Sequence, residues 1–174
     1  MKYLVKFFVV TFLLLICTHV SAEQKVAYMD LKFVLNNSKA GKGAQDFLQK
    51  SFKENQKNFT DKENALKKEE SDLLAQKTIL AKEEYQKKAD NLRKKVIDYQ
   101  SQRRASLDKI ATQRVQARKT LLEKLDPILN TYIKENSISL VVDKKNILMG
   151  NTDLDITKVI TERLNKEFPS LSIE

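Results

Sequence analysis

The sequence predicts an α+β fold dominated by a long antiparallel α-helical (coiled-coil) hairpin that projects from a small β-sheet body. Three observations predict it. Residues 44–126 contain neither glycine nor proline, the two strongest local breakers of helix. Within that interval apolar residues recur at steps of seven, or of four and three, as a coiled-coil seam requires. Two short segments rich in β-branched residues, "KVAYMD" at residues 25–30 and "ISLVVD" at residues 138–143, flank the interval, which therefore reads as an insertion between neighbouring strands.

At the N-terminus Lys2 and Lys6 precede the apolar run "FFVVTFLLLIC", and Val20 and Ala22 stand at the small-residue positions before a cut. This is the pattern of a secretory signal peptide over residues 1–22, cleaved near Ala22. The apolar run is shorter than the roughly 20 residues a spanning helix needs, which argues against a retained anchor. Cys17 follows Ile16 rather than a small residue and is not read as a lipid-attachment site. With the segment go the only cysteine and the only histidine, His19, so a disulfide framework and the usual metal and nucleophile systems are not expected. Charged residues make up 32% of the chain and tryptophan is absent, which leaves little to fill a compact core and favours an extended shape. Removing Lys2 and Lys6 from the formal charge of +9 leaves +7, which favours acidic or anionic partners outside the cytoplasm.

The body is assigned to residues 23–43 and 127–174, and the arm to residues 44–126. In the outgoing arm Phe52, Phe59, Leu66, Leu73 and Leu80 recur every seven residues. One strong apolar residue per heptad is half of an ordinary seam. Burying each is worth about 1.5–3 kcal/mol against about 1–2 kcal/mol of backbone entropy per ordered residue, so the arms are expected to be firm near the body and loose at the tip. The tip is placed at residues 77–85, "KTILAKEEY", with Thr78 as a capping side chain. An arm running from residue 44 to that tip is roughly 55 Å long at about 1.5 Å per residue, and the return is of similar order. The returning arm carries Tyr85, Ala89, Leu92, Val96 and Tyr99, with Arg103 at the next seam position, and after a shift of register Leu121, Leu125, Ile128 and Tyr132. Asp126 and Pro127 suit an N-cap and first helical position, so the last helix is expected to bend or restart there and to end near Asn136. The strand "ISLVVD" then has "NILMG", residues 146–150, as its hairpin partner. Beyond "NTD", the spacing of Ile156, Val159, Ile160 and Leu164 predicts a terminal helix that Pro169 follows and that covers one face of the sheet.

Charge divides unevenly between the arms. Residues 44–86 hold eight lysines against nine acids, net −1, whereas residues 87–119 hold eleven basic residues against Asp90, Asp98 and Asp108, net +8. Arg93, Lys94, Lys95, Arg103, Arg104, Arg114, Arg118 and Lys119 are spaced so that they can form a basic ridge. Arginine can meet carboxylate or phosphate with two parallel hydrogen bonds, which makes these residues candidates for anionic ligands. No phosphate-cradling glycine loop is present. Asp143, Asp153 and Asp155 beside Gly150 lack the alternating spacing of a helix-loop-helix calcium site and suit turns and caps instead. An enzyme is not expected, nor a metal or cofactor, so any work on a partner must come from binding energy alone.

The order of these parts resembles the Skp/OmpH family of periplasmic chaperones. The resemblance rests on "KVAYMDLKFVLNNSKAGKGA", residues 25–44, with Asp30, Val34, Leu35, Ser38, Gly41 and Lys42, and on "SLVVDKKNILMGNTDLDITKVI", residues 139–160, with "LVVD" and "DIT". It implies a homotrimer in which strands of three subunits form a small β-barrel body and three arms enclose a cavity. It also implies an ATP-independent periplasmic holdase that keeps unfolded outer-membrane proteins from aggregating before insertion. Val26, Tyr28, Leu140, Val141, Val142, Ile147 and Met149 are then the trimer body. Arg93, Lys94, Lys95, Arg103 and Arg104 are the candidates for contact with client or with lipopolysaccharide or another anionic membrane surface. A competing reading is an exported coiled-coil spacer or envelope tether, against which the sparse seam and the closing sheet argue. A basic nucleic-acid binder is a second, permitted by charge but not by export, so no nucleic acid is expected.

Overall fold

The computed structural model describes residues 25–173, so the expected signal segment, with Cys17 and His19, lies outside the described residues. Strand β1 (Lys25–Met29) leads into a short helix α1 (Leu31–Asn37) and then the two arm helices, α2 (Lys39–Ala75) and α3 (Lys82–Glu135). Strand β2 (Ile138–Asp143), two single 3-10 turns (Lys144–Asn146 and Thr152–Leu154) and helix α4 (Thr157–Glu167) complete the chain. This is the α+β hairpin-and-body architecture that the sequence predicts.

The two strands are neighbours and run parallel, with Val26 opposite Leu140, Ala27 opposite Val141 and Tyr28 opposite Val142. Parallel pairing requires a crossover between the strands, and here α1 and the whole arm supply it. The expected hairpin partner "NILMG" does not form a strand. After Asp143 the chain turns, because the Asp143 carboxylate accepts from the Lys145 N–H and sets up the 3-10 turn. Leu148 and Met149 then stand in solvent rather than against β2. The other edge of β1 is met by Asp155 instead, where Tyr28 pairs with Asp155 and the Ile156 N–H donates to the Tyr28 carbonyl at 2.9 Å.

Helix α1, too short to show a hydrophobic period in the sequence, is a capped unit. Asp30 accepts from the Phe33 N–H at 2.8 Å, and Val34 and Leu35 are its buried residues. Ser38 then serves two helices: its N–H closes α1 onto the Val34 carbonyl, and its hydroxyl caps α2 by accepting from the Gly41 N–H at 3.1 Å. Gly41 permits this corner, since a Cβ there would lie 1.8 Å from the Leu35 carbonyl oxygen. The arm helix therefore begins at Lys39 rather than near residue 44, with both glycines inside it.

At the far end the chain turns between Ala75 and Lys82. Ala81 occupies the N-cap of α3 and makes no side-chain bond, so Thr78 does not cap the helix as expected. Glu83 and Glu84 in the first turn oppose the positive end of the helix dipole instead. Helix α3 also continues unbroken through Asp126 and Pro127 and ends at Glu135, which corrects the expected restart. Proline withdraws one donor, but Leu125 and Ile128 on either side are buried at 3% exposure each and hold the backbone helical through the site. Ser137, in the left-handed region with φ 52°, turns the chain from α3 into β2.

The core lies in the body. Ala27 and Met29 from the sheet, Val34 and Leu35 from α1, Leu121, Leu125 and Ile128 from α3, and Ile156, Ile160 and Leu164 at and within α4 form one cluster. The apolar run 121–128 thus belongs to the body and does not extend the arm seam. Along the arms the seam of α3 passes through Tyr85, Ala89, Leu92, Val96 and Tyr99, then through Arg103, Ser106, Ile110, Gln113 and Ala117. Of these only Leu92, Ile110 and Ala117 are fully buried. In α2, Leu48 and Leu73 are buried, Phe59 and Leu66 half-buried, and Phe52 exposed, while Leu80 lies half-buried in the turn at the tip. Polar clasps span the gap: Tyr99 donates to Glu63 at 3.2 Å, Lys62 to Gln102 at 2.9 Å, Lys95 to Glu69 at 2.6 Å and Lys88 to Gln76 at 3.2 Å.

Candidate functional site

The chemistry of the body centres on "DIT". The Asp155 carboxylate accepts from the Lys144 ammonium at 2.7 Å and from the Thr157 N–H at 3.0 Å, and the Thr157 hydroxyl accepts from the Asp30 N–H at 2.9 Å. Burial pushes the Asp155 carboxyl up, but the hydrogen bonds from Lys144 and Thr157 together outweigh it and hold the group below its ordinary range. The same contacts push the Lys144 ammonium up, first through its hydrogen bond to Asp155. Lys144 also lies 5.7 Å from the centroid of the Tyr28 ring. These bonds tie the end of β1, the turn after β2 and the start of α4 together.

Alternation along the strands sorts the expected body residues onto two faces. Ala27 and Met29, with Val141 opposite Ala27, face the helices, and Val141 lines an open groove with Leu31, Leu122, Leu125 and Leu129. Val26, Tyr28, Leu140 and Val142 point the other way. Tyr28 is covered by Lys144 and by Gly150, where a Cβ would meet the ring at 3.0 Å. Val26 is 40% exposed and Leu140 55%. Ile147 is half-buried beside Gly150, whereas Met149 is 93% exposed and stands apart from the sheet. The outer edge of β2 has no strand partner among the described residues.

The expected basic cluster of α3 is divided. Arg93 and Arg103 line one groove of the hairpin with Leu66, Leu73, Leu92 and Ile97. Lys94 and Lys95 line a different groove, with Glu69, Asp72, Gln76 and Lys88. Lys95 is tied to Glu69 at 2.6 Å and Arg93 to Asp90 at 3.2 Å. Arg104 is exposed and has no ion-pair partner among the described residues. Within α2 the Lys67 ammonium hydrogen-bonds Glu63 and holds its carboxyl low, with Tyr99 from α3 adding to the effect. Desolvation, and then the bond to Glu63, push the Tyr99 hydroxyl up.

Two features escaped sequence reasoning. Asn165 accepts from the Lys39 N–H at 2.6 Å and so caps the root of α2 from α4. Arg163 pairs with Glu135 at 2.7 Å and stacks 4.8 Å from the Tyr132 centroid, which fixes the root of α3 to the same helix. Neither pairing leaves a local signal, since the partners are far apart in sequence. Among the described residues there is no group of three side chains able to hold a metal, and no helix is long and apolar enough to cross a membrane.

A small strand body with an open edge and a long, thinly packed helical hairpin define an arm-and-body architecture. The family described as outer membrane protein (OmpH-like) matches residues 25–164, and the chain belongs to that family. No curated protein matches it. Among solved structures, a candidate outer membrane chaperone (OmpH-like) from Caulobacter crescentus CB15 is similar at a TM-score of 0.81 and 20% identity, over 90% of this chain and 93% of that one.

Proposed function

We propose that this chain is an ATP-independent holdase that acts in the periplasm as a homotrimer, binding unfolded outer-membrane proteins between its arms before they insert. The observation that carries the reading is the contrast between body and arm. The body leaves Val26, Leu140 and the outer edge of β2 uncovered, a surface that strands of another copy can pair. The arms leave their seam half-open and keep exposed apolar side chains along them, such as Ile97 at 60% and Val115 at 69%. Exposed apolar side chains spaced along a half-open seam suit contact with an unfolded chain, which presents its own apolar groups one at a time. A holdase needs no turnover: it binds the unfolded state by mass action, and three weak arms reach useful affinity through effective concentration.

The test is to dilute a urea-unfolded outer-membrane protein into buffer with and without the processed chain, and to follow turbidity. Suppression near one trimer per client supports the reading, and its absence at several trimers per client overturns it. Light scattering checks the assembly separately, with the mass of three copies expected at micromolar concentration.

A further inference from the structure

The two flanks of α3 differ in kind. Among the residues one after the seam positions are Asp90, Arg93, Ile97, Arg104, Leu107, Arg114 and Arg118; among those one before them are Lys88, Asn91, Lys95, Asp98, Lys109 and Gln116. The first flank carries arginines and large apolar side chains. The second carries lysines, neutral polar residues and Asp98, with no arginine and no large apolar side chain. The grooves follow the same division. The groove floored by Leu66, Leu73 and Leu92 has Arg93 and Arg103 on its α3 side, and the groove nearer the body, floored by Leu48, Ala117 and Leu121, has Arg114 and Arg118 there. Both open on the arginine flank, and Leu107, 44% exposed, lies on that flank between them. The groove on the lysine flank is lined by Glu69, Asp72 and Gln76 and crossed by the bonds of Lys95 to Glu69 and Lys88 to Gln76.

We propose that the arginine flank of α3 is the surface that receives the unfolded client, in extended segments where aromatic and aliphatic side chains are interspersed with carboxylates; this rests on the holdase reading. Arg104, Arg114 and Arg118 have no ion-pair partner among the described residues, so their charge is available to a ligand. A guanidinium is weakly hydrated, stacks on aromatic faces and takes carboxylate with two bonds, whereas an ammonium stays strongly hydrated. Arginine beside leucine therefore suits a ligand that is acidic and apolar together. The shallow, open track has no deep pocket to select one side chain, so many sequences can lie along it in many registers.

The experiment places a photo-crosslinking side chain at Ile97 or Leu107 on one flank, and at Asn91 or Gln116 on the other, in the processed full-length chain. The probe is a urea-unfolded acidic outer-membrane β-barrel protein diluted into native buffer. Crosslinks are expected from Ile97 and Leu107 and not from Asn91 and Gln116. Two triple variants of equal charge change serve as the second arm: Arg104→Gln/Arg114→Gln/Arg118→Gln is expected to weaken client binding about tenfold, and Lys88→Gln/Lys94→Gln/Lys109→Gln by less than about twofold. Equal crosslinking from both flanks, or equal weakening by both triples, overturns the proposal and leaves the holdase reading intact. Retention on anionic lipid vesicles, lost with the arginine triple while client binding is unchanged, assigns the flank to a membrane surface and also overturns it. Failure of the unsubstituted chain to bind or protect any client removes both.

Discussion

Lys144 and Asp155, eleven residues apart, meet at 2.7 Å, with the ammonium 5.7 Å from the centroid of the Tyr28 ring, and the same carboxylate takes the Thr157 N–H at 3.0 Å. Asp155→Ala leaves those donors without a partner in a partly buried site, and is expected to destabilise the body by about 1–3 kcal/mol. Urea unfolding followed by far-ultraviolet circular dichroism measures it. An unchanged midpoint would show that water replaces the carboxylate at no cost.

The same group sets an acid limit. The folded-state carboxyl of Asp155 is lowered, so its contribution is complete above the unfolded value of about 3.8 and is lost as pH falls from there through the folded value. Lys144 is raised, so its contribution is present below about 10.5 and is lost only as pH rises past its folded value. Thermal melts from pH 7 down to pH 2 are expected to show a smaller loss in Asp155→Asn than in the unsubstituted protein, the remainder including Glu63, whose carboxyl is also lowered.

Gly41 and Gly43 predict opposite outcomes two residues apart in one helix. A Cβ at Gly41 must displace the Leu35 carbonyl and open the corner between α1 and α2, so Gly41→Ala is expected to destabilise by about 1–3 kcal/mol. Nothing lies within 4 Å of a Cβ at Gly43, and Gly43→Ala is expected to stabilise by about 0.5–1 kcal/mol through helix propensity. Melting temperatures of the two variants should move in opposite directions.

Assembly is tested at Leu140 rather than at Val141. Val141 packs against the core, so Val141→Asp is expected to unfold the body as well as prevent association. Leu140 is 55% exposed in the single chain, so Leu140→Asp is expected to reduce the mass in light scattering from three copies to one while helical content stays unchanged. A trimeric Leu140→Asp variant would place the interface elsewhere.

The arms are expected to be graded in stability. Leu92→Ala removes one of the few fully buried side chains of the outer seam, at 8% exposure, and is expected to destabilise the local packing by about 2–4 kcal/mol. Hydrogen exchange should then speed up from residues 66–99 outward to the tip, with the body amides unchanged. A uniform change over the whole chain would mean that arm and body unfold as one unit.

Much of the architecture was legible because it depends on local periodicity. The uninterrupted interval, the steps of four and three and the spacing of Ile156, Ile160 and Leu164 are statements about which side of a helix is apolar, and a sequence records that directly. The candidate site was legible only as a list. Arg93, Lys94 and Lys95 are contiguous in sequence, yet Arg93 lines one groove with the more distant Arg103 while Lys94 and Lys95 line another. That division depends on where α2 lies against α3, which the charge count does not contain.

By itself the sequence determined that β-rich segments flank a long, sparsely seamed, cationic helical hairpin, because propensity and hydrophobic period act over neighbouring residues. Only the tertiary structure decided that Val26 pairs with Leu140 in parallel, that Ile147–149 leaves the sheet, and that Pro127 stays inside a helix. Strand alternation specifies faces and not partners, and a proline breaks a helix only where packing on either side is too weak to hold it. Asn165 at the root of α2 and Arg163 at the root of α3 show the same limit, since a cap or an ion pair between distant residues exists only once the chain has brought them together.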